Sequence, residues 1–241
     1  MISRATVLVA AILAMFFACP LLSGCGGGTG MTSSASGSGA ITLPTPTLAA
    51  TTPSPALYSP NYRSSLTTLR HWGKSLLKVA YTPPSTDPTG SHTTAVVTQA
   101  INAWNSQVSG SVRLQLVTSG DNPDITIGFV AKGTFGPSII GLTNVTYSKS
   151  TQLMQTASTQ IDQGVGDEYL ADVIAHELGH AMGIDGHSPD PKDLMFATAH
   201  DPWTVTVSDR NTLLLAYNGG KARTPIQVPD DLITVTIWDH N

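Results

Sequence analysis

The feature that most narrows what this chain can fold into is a run of eight residues, His176-Glu177-Leu178-Gly179-His180-Ala181-Met182-Gly183. Histidines four apart project from one face of a helix about one turn apart, so both rings can reach a single Zn2+ ion at roughly 2.0–2.1 Å. Val173, Ile174, Leu178 and Ala181 give the same helix an apolar stripe to bury. Glu177, one step round, can approach a metal-bound water without being a ligand and serve as its base. Gly183 falls where the chain must leave the helix, a conformation glycine adopts cheaply. A chain that turns there can bring a third ligand back to the metal.

In this stretch the sequence resembles the metzincins, and among them the matrixins, whose pattern is HExxHxxGxxH followed by a serine and later a methionine turn. One residue departs from it. The place of the third histidine is taken by Gly186, and the histidine stands one position later, at His187. From there the match resumes without a gap through Ser188, Pro191 and Met195, the last within Asp193-Leu194-Met195-Phe196. The simplest reading is one inserted residue, looped out at Gly186, ahead of the ligand. Asp185 is the rival third ligand, because carboxylates also bind zinc and some metzincins use an aspartate.

The resemblance implies an α/β (α+β) metzincin-like catalytic domain with a mixed twisted sheet, an active-site helix and a C-terminal helix. It implies one catalytic Zn2+ held by His176, His180 and His187, with Met195 as a structural floor beneath it and a peptide or protein as substrate. Trp104, the inner strand Asp124-Ile125-Thr126-Ile127 and Asp209 also look like matrixin features. By the same resemblance, the strand near Gly141 to Tyr147 is the exposed edge along which an extended peptide lies.

The element pattern agrees with that class. Leu76 to Tyr81, Arg113 to Val117, Asp124 to Val130, Ile140 to Tyr147 and Thr156 to Ile161 read as strands. Val97, Ala100, Ile101, Trp104 and Val108 recur at helical spacing up to Gly110. A second helix is predicted from near Asp167 through Ala181, and a third opens at Thr206-Val207-Ser208-Asp209 and stops at Asn218-Gly219-Gly220. In the tail, residues 221–241, the alternation of Ile233, Val235 and Ile237 marks a candidate added edge strand. These limits place the catalytic domain at residues 63–220.

The N-terminus reads as an address. Arg4 precedes an almost wholly apolar run from Val7 to Leu22, which is a signal-sequence pattern. It ends in Leu22-Ser23-Gly24-Cys25, which resembles the lipobox at which bacterial lipoproteins are cut and acylated, so residues 1–24 are read as a lipoprotein signal peptide and Cys25 as the lipidation site. The alternative is an ordinary secretory signal with an incidental cysteine. Gly26 in the next position, in place of Asp, points to the outer membrane of a double-membraned bacterium. Residues 25–62 are rich in Gly, Ser, Thr, Ala and Pro and read as a flexible tether. The expected location is the cell envelope, exported and lipid-anchored.

Charge and cysteine usage exclude other classes. The formal net charge is −4, and loss of a leader whose only charge is Arg4 makes it −5, which argues against nucleic acid as a partner. The only cysteines, Cys19 and Cys25, lie in or beside the leader, so the domain has no thiol for a disulfide or for blocking the metal. His71, His92, His200 and His240 read as exposed. Asp121, Asp124, Asp162 and Asp167 are explained by turns and caps, and no calcium site is assigned. Two functions remain: a zinc endopeptidase acting on extracellular or envelope proteins, and a surface-anchored zinc-containing binding module without proteolysis.

Overall fold

The computed structural model describes residues 58–218 and 231–240. The predicted signal peptide, Cys25 and most of the predicted tether lie outside them. The largest unit is a seven-stranded mixed sheet. Its strands are β2 (His71–Trp72), β3 (Leu76–Tyr81), β4 (Arg113–Leu116), β5 (Ile125–Val130), β6 (Ile139–Ser148), β7 (Leu153–Asp162) and β9 (Leu232–His240). The order is β4-β3-β5-β7-β6-β9, with β2 pairing the start of β7. Contacts from β4 through β7 are parallel, while β6 runs antiparallel to both β7 and β9.

The strands form because their side chains alternate. Ile125 and Ile127 on β5, and Ala157, Thr159 and Ile161 on β7, are buried, whereas Thr126, Thr156 and Gln160 between them are exposed. The buried face joins one apolar core with α1 (Ser91–Val108) and α2 (Asp167–Met182). Each isoleucine fully buried there contributes about 1.5–3 kcal/mol relative to exposure. Val97, Ala100, Ile101, Trp104 and Val108 are all buried, as the helical spacing requires.

α2 is buried at every position from Ala171 to Met182, so it needs internal partners for its polar backbone ends. A tryptophan and a tyrosine supply them at its C-terminal end, and a second tryptophan reaches a carbonyl in mid-helix. Trp104 Nε1 donates to Ala175 O at 2.7 Å, Trp72 Nε1 to Ala181 O at 2.9 Å, and Tyr217 Oη to Met182 O at 2.8 Å. Tyr217 belongs to α3 (Val207–Asn218), which closes the back of the domain. A two-stranded ribbon, β1 (Thr68–Leu69) against β8 (Ile184–Asp185), ties the segment before the sheet to the chain leaving α2.

Two expectations need correcting, and three short strands were not anticipated. The short strands β1, β2 and β8 have only two residues each, too few to show a period. The stretch Gly141 to Tyr147 is not an exposed edge, because β9 pairs with β6 from Ile139 to Ser148. His71 and His200 are half-buried, not exposed, and His71 meets Tyr217 edge-on at 6.3 Å between ring centroids.

Gly183 ends α2 with φ of 126°, and a Cβ there would stand 2.2 Å from the carbonyl oxygen of Arg70. That backbone cannot yield easily, since Arg70 N–H is itself bonded to Gly183 O at 2.9 Å. Gly183→Ala is therefore expected to destabilise the fold by at least about 2 kcal/mol, read as a lowered midpoint in urea unfolding of the purified protein. An unchanged midpoint would show that the turn tolerates a side chain.

Candidate metal centre

α2 carries His176, Glu177 and His180, and the turn at Gly183 sends the chain through β8 back towards them. Gly186 has φ of 119°, so a glycine sits where the additional residue must be accommodated. His187 follows, and a ring nitrogen of each of His176, His180 and His187 lies within 4.8 Å of the other two. The ring centroids are 4.9, 5.3 and 5.1 Å apart. His176 and His180 are buried and His187 is half-buried. Asp185 is directed elsewhere: Arg70 Nη1 donates to its carboxylate at 2.5 Å.

The tautomers follow from the outer hydrogen bonds. His176 Nδ1 donates to Leu194 O and His180 Nδ1 to Ile184 O, each at 2.7 Å, and a carbonyl can only accept. Each Nε2 is thereby turned inward, and the two lie 3.1 Å apart. Imidazoles oriented by backbone carbonyls form the donor set that zinc favours, so the residues present fit a zinc ion.

Glu177 is fully buried beside the histidines. Thr143 of β6 donates its hydroxyl to Glu177 Oε2, and Thr159 of β7 lies 2.8 Å behind that hydroxyl. Gly141 leaves the room: a Cβ on it would be 1.9 Å from Glu177 Oε1. Neither Gly141 nor Thr143 was singled out in the sequence for positioning Glu177, because the link crosses from strand to helix and has no local pattern. Alternation places both on the inward face, and that was the one signal available.

Beneath the histidines, Met195 is fully buried against Gly179, where a Cβ would meet its sulfur at 2.3 Å. The turn carrying Met195 is pinned by Asp209, which accepts the N–H groups of Leu194 at 2.9 Å and Met195 at 3.2 Å and the hydroxyl of Tyr62 at 2.9 Å. Burial pushes the Asp209 carboxyl above its ordinary range, while hydrogen bonds from Thr206 pull the other way. Ser188 N–H donates to Met195 O at 2.7 Å, and Ser188 Oγ to Asp193 at 2.6 Å. An apolar recess beside His176 and Glu177 is lined by Ile140, Val173, Phe196, Ala197 and Ala199. Asp172 also borders it, its carboxyl raised by burial against a backbone N–H from His200 at 2.7 Å.

The other aspartates have structural tasks. Asp121 closes a capping box with Thr118, Asp124 accepts Lys78 N–H at 2.9 Å, and Asp162 accepts Gly133 and Gly164 N–H groups at 2.6 Å each. Asp167 lies in the first turn of α2, 3.5 Å from His92.

A mixed sheet backed by a buried helix, with that helix and its return loop bringing three histidines together, is the architecture of a metzincin-like catalytic domain. The family model Peptidase_M10, matrixin, matches residues 71–217, and the chain belongs to that family. Two relatives are similar over shorter stretches. Matrix metalloproteinase-A of Caenorhabditis elegans is 39% identical over 70 residues, covering 29% of this chain and 13% of the relative. Macrophage metalloelastase of Oryctolagus cuniculus is 37% identical over 73 residues, covering 29% and 15% respectively. The matched stretch thus spans about a seventh of the length of these relatives.

The geometry separates the two candidate third ligands experimentally. His187→Ala should lower zinc affinity by more than the ~10–100-fold that follows loss of a ligand's hydrogen-bond partner. Asp185→Ala should retain one zinc per chain after dialysis, as measured by atomic absorption. The reverse pattern would transfer the ligand role to Asp185.

Proposed function

We propose that this chain is a zinc-dependent endopeptidase that hydrolyses peptide bonds of extracellular or envelope proteins. The observation that carries the reading is the convergence of His176, His180 and His187 beside a fully buried Glu177, in a matrixin domain. When bound, zinc supplies a Lewis acid for the scissile carbonyl and lowers the pKa of a water to about 7.

The protein's own groups do the rest. Glu177 takes a proton from the attacking water and returns it to the leaving amine. Thr143, itself backed by Thr159, fixes the carboxylate through Oε2, so the base does not have to find its orientation in each turnover. The carbonyls of Leu194 and Ile184 hold the imidazoles in the tautomer that turns Nε2 inward. Ile140, Val173 and Phe196 wall the side of Glu177 with apolar groups and leave only a small recess there. A metal kept only for structure has no use for a carboxylate held in this way, which favours hydrolysis over the binding-module reading.

Glu177→Ala is expected to keep its zinc and to lose about 10²–10⁴-fold in kcat on a peptide library, with chelation of the wild type giving the same silence. Full hydrolysis by the zinc-loaded variant would remove Glu177 from the mechanism.

We further propose that the enzyme is lipid-anchored in the cell envelope through Cys25, on the strength of the Leu22-Ser23-Gly24-Cys25 motif. Acyl chains on one residue anchor a domain without any span, at about 0.8 kcal/mol per buried methylene. Cys25→Ser should move the protein from the detergent phase to the aqueous phase in a Triton X-114 partition. Aqueous partitioning of the wild type would dispose of the anchor.

A further inference from the structure

The strand beside Glu177 has both of its edges filled. Gly141 and Thr143 of β6 touch or crowd the Glu177 carboxylate. An extended peptide that is to present a carbonyl to Glu177 and the three imidazoles by joining the sheet must therefore pair with this part of β6. β7 takes one side. β9 takes the other, with Gly141 opposite Asp239, Thr143 opposite Ile237 and Val145 opposite Val235.

β9 is attached as a peptide would be. Its inward face is apolar and of period two: Ile237 is 8% exposed and part of the core, and Val235 packs against that core. Its outward face makes lighter contacts. Thr234 and Thr146 hydroxyls are 2.8 Å apart, Thr236 donates to Asn144 at 2.6 Å, and Trp238 meets Phe135 edge-on at 6.0 Å while remaining 45% exposed. Asp231 anchors the start, accepting from Ser148 Oγ at 2.8 Å and from Ser150 N–H at 2.7 Å. The rest is a backbone ladder, which tolerates many sequences.

We propose that β9 is the resident ligand of a peptide-binding edge on β6, and that an outside segment enters only after β9 has left. The chemistry of β9 then describes the segment the edge accepts: extended, antiparallel to β6, with β-branched residues at alternate positions and an aromatic after them. The proposal rests on the reading of the centre as a peptidase. An edge that is open for only a fraction of the time binds an outside strand with an affinity reduced by that fraction.

The test reversibly locks β9 in the full chain. Thr146→Cys with Thr234→Cys, in a background with Cys19 and Cys25 replaced by serine, places two thiols across the ladder where hydroxyls now meet. A fluorescein-labelled peptide copy of residues 232–240 is then titrated by anisotropy. The copy should bind the reduced protein and bind the oxidised protein at least about tenfold more weakly. Equal affinity in both states, or no binding in either, overturns the proposal. If the double variant does not fold, Ile237→Asp removes the buried anchor of β9, and it should bind the copy at least about tenfold more tightly than wild type, no gain being the contrary result. Hydrolysis of a quenched peptide of the same pattern is followed in parallel. Redox-dependent binding with no cleavage in either state would keep this proposal and remove the peptidase reading.

Discussion

Two inward-turned imidazole nitrogens held 3.1 Å apart are the constraint around which the domain is organised. Here neither ring can turn without breaking a bond to a main-chain carbonyl, from Leu194 in one case and Ile184 in the other. The protein thus holds the two nitrogens where one ion could take both, and the free energy of binding it would also be free energy of folding.

The carbonyls are themselves held. Leu194 is fixed through its N–H by Asp209, and Asp209 is met from three directions, by the turn residues 194 and 195, by Thr206 ahead of α3, and by Tyr62 from the start of the domain. A buried carboxylate is costly unless donors surround it, and every polar neighbour of Asp209 named here is a donor. The methionine below the metal site has the same logic in apolar form: Gly179 gives up its side chain so that the thioether can approach the helix between the two histidines.

What could be read from the residues was whatever depends on near neighbours. The four-residue step from His176 to His180 required a helix whatever the rest of the chain did, and β3 runs from Leu76 to Tyr81 as its β-branched and aromatic content suggested. Gly183 and Gly186 were legible because their positive φ values are conformations that other residues avoid. That His187 and not Asp185 would lie beside the paired histidines was not legible, since Arg70, more than a hundred positions from the aspartate, engages it. Likewise the alternation of Ile233, Val235 and Ile237 announced a strand and not its partner. The partner, β6, lies some ninety residues earlier, and the period of a strand carries no address for the edge it will join.

The opening segment of the domain does not merely precede the sheet. Tyr62 is bonded to Asp209 of α3, and Thr67 N–H to Asp185 O and Arg70 N–H to Gly183 O on the chain that returns from α2 towards His187. Mechanically, this puts the loading point in an unusual place. Tension applied to the chain ahead of residue 58 would meet α3 first, where Asn211 donates to Pro60 O and Thr212 accepts the N–H of Tyr62, and then the ribbon of β1 and β8. A domain pulled from that end would carry the load through α3 and the ribbon before it reached the ladder of the large sheet.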